Sequence, residues 1–153
     1  MDSTNELVIT RGWPASGKTT WAKKWVQEKP NLRVRLNRDD LRLMMFDVVG
    51  VGDFRQEAAV SIAQHEAARK LLNDGYSVVF DDTNLVLKYA KNHRYLAQSC
   101  DVDFRVVNFY TDWETCVSRD RDRMARGERG VGEEVIKKFA ERFPVSNWKN
   151  QEI

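Results

Sequence analysis

The chain has no apolar run approaching the roughly 20 residues needed to cross a bilayer. Its opening, Met1 to Glu6, is polar and acidic with no apolar signal region. A membrane-spanning or exported chain is therefore not expected, and a soluble, cytoplasmic one is. Cysteine is scarce: Cys100 and Cys116 are the only two, in neither CxxC nor zinc spacing, so they read as idle thiols in a reducing compartment. Histidine is equally scarce, and His65 and His93 fall within predicted helices without a metal-spaced partner. An excess of one charge is missing too, since 25 Lys and Arg against 23 Asp and Glu leave +2. Any basic surface must be local. There is no internal repeat and no low-complexity segment. The length of 153 residues suits one domain, residues 1–153, with a core at about 7–143 and a C-terminal tail at 144–153 that has no usable pattern.

What is present is an alternation of short apolar runs with helical periods. "ELVITRG" reads as a buried strand, followed by a helix in "KTTWAKKWVQEK" that stops before Pro30. Leu32 to Asn37 alternates as a strand, and Asn37 is placed to cap a helix beginning "RDDLRLMMF". Asp47 to Asp53 is a loop, Phe54 to Asp74 a long amphipathic helix closed by Gly75, and "YSVVF" a third strand. A helix over Leu87 to Gln98, a strand in "FRVVNFY", and helices from Trp113 to about Met124 and Glu133 to Phe143 complete the pattern. Such alternation predicts an α/β fold with a mostly parallel sheet covered on both faces.

Four stretches have chemistry in them. Gly12, Trp13, Pro14, Ala15, Ser16, Gly17, Lys18, Thr19 and Thr20 have the spacing of a phosphate-binding loop between a predicted strand and a predicted helix. Small residues let backbone amides face phosphate oxygens, Lys18 reaches the β- and γ-phosphates, and the Thr19 hydroxyl is placed to ligate Mg²⁺. The opening dipole of the next helix adds to anion binding. At the end of the second predicted strand lies Asn37-Arg38-Asp39-Asp40-Leu41-Arg42, where Asp39 and Arg42 share a helical face. There a carboxylate can accept a hydroxyl proton while the guanidinium holds phosphate. A plain helix start with acids complementing the dipole explains the same residues. The third stretch, "VVFDDTN", puts Asp81 and Asp82 after an apolar strand, where one acid can hold magnesium. The spacing leaves open which one. The fourth contains Arg119, Arg121, Arg123, Arg126 and Arg129 among acids. It is either a solvated helix face or a lid whose arginines close over a triphosphate.

The ordered set GWPASGKTTWA, LNRDDLR, DDTN and Arg-x-x-x-Arg resembles the kinase domain of phage-type polynucleotide 5′-kinases, over roughly residues 7–143. The resemblance implies a P-loop kinase fold with a four-stranded sheet in the order 2-3-1-4. It implies transfer of the γ-phosphate of ATP or another NTP, with Mg²⁺, to the 5′-hydroxyl end of DNA or RNA, as in nucleic acid repair. It makes Asp39 the general base and puts Arg42 near the acceptor and the transferred phosphate. Lys18 and Thr19 hold phosphates and Mg²⁺, and the acid of DTN falls on Asp82, with Asp81 the position used by related kinases. The lid arginines fall on Arg119 and Arg123, with Arg126 a rival for the second place. Asp40, one helical position on, is expected to face away from the cleft. The family's best-known members add a 3′-phosphatase domain; here the one DxD, Asp101 and Asp103, precedes a strand, so no phosphatase domain is expected.

Trp21 and Trp25 read as packing residues, whereas Trp13, inside the loop, is a candidate to stack on a nucleobase. Lys88, Lys91 and Arg94 form a basic stripe that is by default solvated. With Arg38, they are the first candidates for an oligonucleotide backbone. The alternative acceptor is a small-molecule hydroxyl, such as that of a nucleoside or antibiotic. A nucleotide switch is disfavoured: Asp47 to Gly50 matches DxxG, but no guanine-reading NKxD occurs.

Overall fold

The computed structural model describes residues 5–153. Four strands, β1 (Glu6–Arg11), β2 (Arg33–Leu36), β3 (Ser77–Phe80) and β4 (Asp103–Asn108), form one parallel sheet in the order β2-β3-β1-β4. Leu7 pairs with Val78 and Ile9 with Phe80 on one side of β1, and Val8 with Arg105 on the other. The strand order reverses beside β1. In open α/β sheets a ligand crevice forms at the carboxyl ends of the strands at such a point.

The period of two in the strands sorts the core. Leu7, Ile9, Val78 and Phe80 face Ala68 and Leu72 of α3 (Phe54–Asn73) and Ala90, Leu96 and Ala97 of α4 (Leu87–Ser99). Val8 and Val79 face the other way, onto Ala22 and Trp25 of α1 (Lys18–Glu28), where Trp21 stacks on Trp25 at 6.1 Å. The predicted caps are present. Asn37 accepts from the Asp40 amide at 2.9 Å to open α2 (Arg38–Phe46), and Gly75 takes φ 96° after α3. α3 opens on a full capping box between Asp53 and Gln56.

The last ten residues are more ordered than their sequence suggests. After α5 (Trp113–Ala125) and α6 (Glu133–Arg142), a short α7 (Val145–Trp148) buries Trp148 to 2% exposure. Its indole donates to the Phe143 carbonyl at 3.1 Å, and the guanidinium of Arg11 lies 5.5 Å from its ring. Arg11 also donates to Gln151 at 2.8 Å. One helical turn is too short for a periodic signal, so the anchoring rests on a single tryptophan.

His93 is the buried polar group with the clearest energetic consequence. It lies 4.7 Å from Phe80 and 5.0 Å from His65, and its Nδ1 has no partner. Burial, helped by His65 and Arg38, lowers its pKa from 6.5 to about 3. The fold therefore holds the neutral ring, and the unfolded chain takes up a proton below pH 6.5 that the folded one refuses. Stability from this group is complete above pH 6.5 and is lost as pH falls toward 3. Melting temperatures from pH 7 to 4.5 are expected to fall less steeply for His93→Gln than for the wild type. Parallel curves would show that His93 titrates normally in the fold.

Candidate active site

Residues 12–17 turn between the end of β1 and the start of α1. Gly12 has no room for a side chain, since a Cβ would lie 2.7 Å from Ser16 Oγ and 3.0 Å from Phe109. Gly17 takes φ 105° as the N-cap of α1, and Ala15 also has positive φ, at 63°. Thr111 Oγ1 donates to the Ser16 carbonyl at 2.7 Å and ties the loop to the segment before α5. Lys18 is buried, and its Nζ donates to the Trp13 carbonyl at 2.6 Å and to Ser16 Oγ at 3.3 Å. Burial lowers its pKa to about 8, against the opposing pull of Asp81 and more weakly Asp82. Thr19 is half-buried and Thr20 exposed on the first turn of α1. The Trp13 indole donates to the Phe143 carbonyl at 2.9 Å and packs near Cys116, Val117 and Ile136. It is engaged by the protein, which disfavours the stacking role.

The DDTN segment is sewn to this loop. Asn84, with φ 48°, donates to the Thr10 carbonyl at 2.8 Å, and the Gly12 amide donates to the Thr83 carbonyl at 3.2 Å. Thr10 Oγ1 donates to the Asp82 carbonyl at 3.0 Å. The two acids then divide. Asp82 accepts from the Arg38 amide at 2.8 Å and from Gln64 Nε2 at 2.7 Å, so both oxygens are engaged in holding α2 and α3 to the end of β3. Its burial raises its pKa to about 6 in spite of these bonds. Asp81, 1% exposed, accepts from Arg35 Nε at 2.7 Å through Oδ2, while Oδ1 has no partner.

Magnesium fits this donor set. Asp81 has an orphaned buried carboxylate oxygen at a strand end and is close enough for its charge to act on Lys18, which Thr19 follows on the first turn of α1. The described residues hold no cluster of three or more His, Cys, Asp or Glu that could make a complete cage. Mg²⁺ does not need one, since it is commonly held by one or two carboxylates together with substrate phosphates and water.

At the start of α2, Arg42 is buried to 5% and spreads its guanidinium over two acids. Nη1 donates to Asp39 Oδ1 at 2.6 Å, while Nε and Nη2 donate to the two oxygens of Glu57, Nη2 at 2.9 Å. Glu57 also receives the Gly52 amide at 3.1 Å and Arg38 Nη2 at 3.3 Å. Asp39 itself is about half-exposed, its side chain reaching solvent with one oxygen fixed. Asp40 is not idle. It accepts from Arg35 Nη1 at 2.9 Å and from Arg129 Nη2 at 3.2 Å. Arg35 thus joins Asp81 to Asp40, and Asp40 reaches the segment after α5.

That segment is a built strap. Asp120, 2% exposed, accepts from the amides of Val131 and Gly132 at 2.8 and 2.9 Å, which folds residues 126–132 back on α5. Arg119 Nη1 lies 3.4 Å from where a Cβ on Gly17 would sit, and Arg123 is close enough to Lys18 to oppose its charge. Arg126 instead pairs with Glu128 at 3.1 Å, exposed on the outside, and Arg121 pairs with Glu133 at 2.8 Å. The geometry thus favours Arg119 and Arg123 over Arg126. Sequence reading missed Arg35, Glu57, Gln64 and Asp120, and named Arg129 only as one of five arginines, without its partner Asp40. Of the four, only Arg35 left a trace, as a second arginine on the polar face of a strand leading to Asn37.

The chain matches the family profile described as an AAA domain over residues 7–145. It is 25% identical over 146 residues to the L-seryl-tRNA(Sec) kinase of Methanococcus maripaludis, covering 94% of this chain and 54% of that protein. A chain of the solved Pnkp1/Rnl/Hen1 RNA repair complex superposes with a TM-score of 0.83 at 24% identity, over 99% of this chain and 48% of that one. The Mycobacterium tuberculosis APS kinase CysC, solved with AMPPNP and APS, gives 0.63 at 21% identity, over 84% and 75%. The chain spans about half the length of the first two. The fold is that of P-loop kinases.

Two outcomes check this geometry. Arg123→Ala is expected to lower kcat for phosphoryl transfer by about a hundredfold or more, and Arg126→Ala by less than about threefold. The reverse order would put Arg126 over the phosphates. Asp40→Asn removes the carboxylate that holds Arg129. Exposed pairs of this kind are worth about 0–1 kcal/mol, so the fold should stay intact. Tryptic cleavage after Arg126 and Arg129 is expected to quicken severalfold, and an unchanged rate would mean the strap does not rest on α2.

Proposed function

We propose that this chain, which belongs to the AAA domain family, is an ATP-dependent polynucleotide 5′-hydroxyl kinase acting on DNA or RNA ends. The observation that supports this most is the Asp39–Arg42–Glu57 fork at the start of α2, on the acceptor side of the phosphate loop. A 5′-hydroxyl is a weak nucleophile until its proton has an acceptor. Asp39 offers a partly solvated carboxylate whose orientation is fixed by a buried guanidinium, itself fixed by Glu57. Arg42 keeps Asp39 aimed and adds positive charge beside the transferred group. Asp39 takes the hydroxyl proton as the oxygen bonds to the γ-phosphorus and the bond to the β-γ bridging oxygen breaks, ADP leaving.

On the donor side, the loop amides and Lys18 hold the β- and γ-phosphates, and Arg119 and Arg123 cover them. Thr19 and Asp81, rather than Asp82, would hold Mg²⁺, because both oxygens of Asp82 are engaged in the protein. The chemistry Mg²⁺ supplies when bound is neutralisation of charge on the β- and γ-phosphate oxygens. Similarity to a tRNA kinase and to a chain of an RNA repair complex supports an acceptor that is part of a nucleic acid.

The test offers labelled ATP with a 5′-hydroxyl oligonucleotide, the same oligonucleotide already 5′-phosphorylated, and free nucleosides. Label is expected on the first alone or with large preference. Asp39→Asn should lower that transfer by roughly a hundredfold or more with ATP affinity and melting temperature nearly unchanged. Preference for free nucleosides would make the protein a small-molecule kinase. Parallel loss of stability and activity at Asp39 would reduce it to a helix-start residue.

A further inference from the structure

We infer that the groove between α3 and α4 is the track for the acceptor strand, binding single-stranded nucleic acid on the 3′ side of the end that receives phosphate. This rests on the kinase reading above and adds where the rest of that substrate lies. The groove measures about 360 Å³ and is lined by His65 and Arg69 of α3 and by Asn92, Tyr95, Leu96 and Ser99 of α4.

Its direction follows from helical spacing. Ser61, His65 and Arg69 stand four apart on α3 and form one row. At one end of the row, Arg38 Nη1 donates to Ser61 Oγ at 2.9 Å, and Arg38 adjoins Asp39. At the other end, Arg69 Nη1 donates across the groove to Ser99 Oγ at 3.2 Å. On α4 the facing row is Lys88, Asn92, Tyr95 and Ser99, at spacings of three and four. The row on α3 therefore leads from Arg38, next to the candidate base, to the groove at His65 and on to Arg69. From Asn92 to Ser99 the groove's α4 wall spans about 10 Å at 1.5 Å per residue, room for a couple of nucleotides.

Its chemistry suits a phosphodiester strand. α4 has no acidic residue over its 13 positions but has Lys88, Lys91 and Arg94. Among the described residues none of these three is in an ion pair. Arg69 meets only the exposed Glu66, at 3.7 Å. Arg69 lines the groove itself, and the three basic residues stand on the helix that forms its other wall, so in a chain of net charge +2 this face is a local anion site. Tyr95 is 53% exposed, and the Arg94 guanidinium sits 5.2 Å from its ring, a platform of the kind on which bases stack regardless of sequence. His65, stacked on Phe80 at 5.7 Å and kept neutral by burial, gives the groove a flat floor.

The test measures binding of a fluorescent 5′-phosphorylated decanucleotide, which cannot accept phosphate, to the wild type, to Arg69→Gln/Lys91→Gln and to Tyr95→Ala. In parallel, transfer is measured to a 5′-hydroxyl decanucleotide and to a nucleoside 3′-monophosphate too short to enter the groove. The double variant is expected to bind at least tenfold more weakly, with the slope of log K against log salt shallower by about 1.4 for two lost contacts. Its KM for the decanucleotide should rise in step, while transfer to the nucleoside 3′-monophosphate stays within twofold. Tyr95→Ala should weaken binding severalfold with the salt slope unchanged. Wild-type affinity in both variants, with the decanucleotide still phosphorylated by the wild type, overturns the track and leaves the kinase reading in place. Transfer by the wild type to a free nucleoside but to no oligonucleotide overturns the kinase reading and the track with it. Displacement of the decanucleotide by polyglutamate of equal charge at equal potency also overturns the track, leaving an indiscriminate anion surface.

Discussion

Asp81 is a carboxylate out of reach of water, with one oxygen held by Arg35 and the other left unpartnered, its charge acting on the buried Lys18. Stripping water from an ion costs several kcal/mol, and removing one partner of such a pair costs about 3–5. Arg35 is therefore a structural requirement of this site. Its planar guanidinium has donors in two directions, and the second one takes Asp40. A lysine has the charge but not the fork. The compensation of one buried acid thus fixes the start of α2, and with it Asp39, relative to the phosphate loop.

Glu57 plays a matching part at the start of α2. It is a residue of the first turn of α3, yet it gathers Arg42, Arg38 and the Gly52 amide. Because Arg42 is buried, its two carboxylate partners offset each other's demands. Glu57 holds the guanidinium in place, and Asp39 keeps an oxygen free. A helix-start aspartate alone would have been a dipole-stabilising ornament; a helix-start aspartate aimed by a buried fork has a direction.

The fold was legible because its signals are periodic or mandatory. The apolar runs of β1 and β3, the alternation of β2, the Asn37 cap, Gly75 and the strand–loop–helix around Lys18 each follow from local chemistry, and the strand order followed from the resemblance. The site was legible only where residues act within one segment. DDTN announced an acid but not which one, because the choice is made by Arg35 from β2 and Gln64 from α3. Asp40 looked idle for the same reason, since its partner Arg129 lies 89 positions away. The tail gave no signal because a single buried tryptophan has no period to read.

Asp120 grips the strap by the backbone amides of Val131 and Gly132, not by any side chain. Such a clasp is blind to the identity of the residues it encloses. Gly130 is the exception, because a Cβ there would come within 2.6 Å of Met124. Gly127, at φ 77°, is constrained by its backbone as well, and Arg129 by its contact with Asp40, so only the exposed positions 126 and 128 can drift through evolution while Asp120 and the glycines keep the strap folded. The strap's fold and its outer side chains are thus set by different residues, and the second can change without the first.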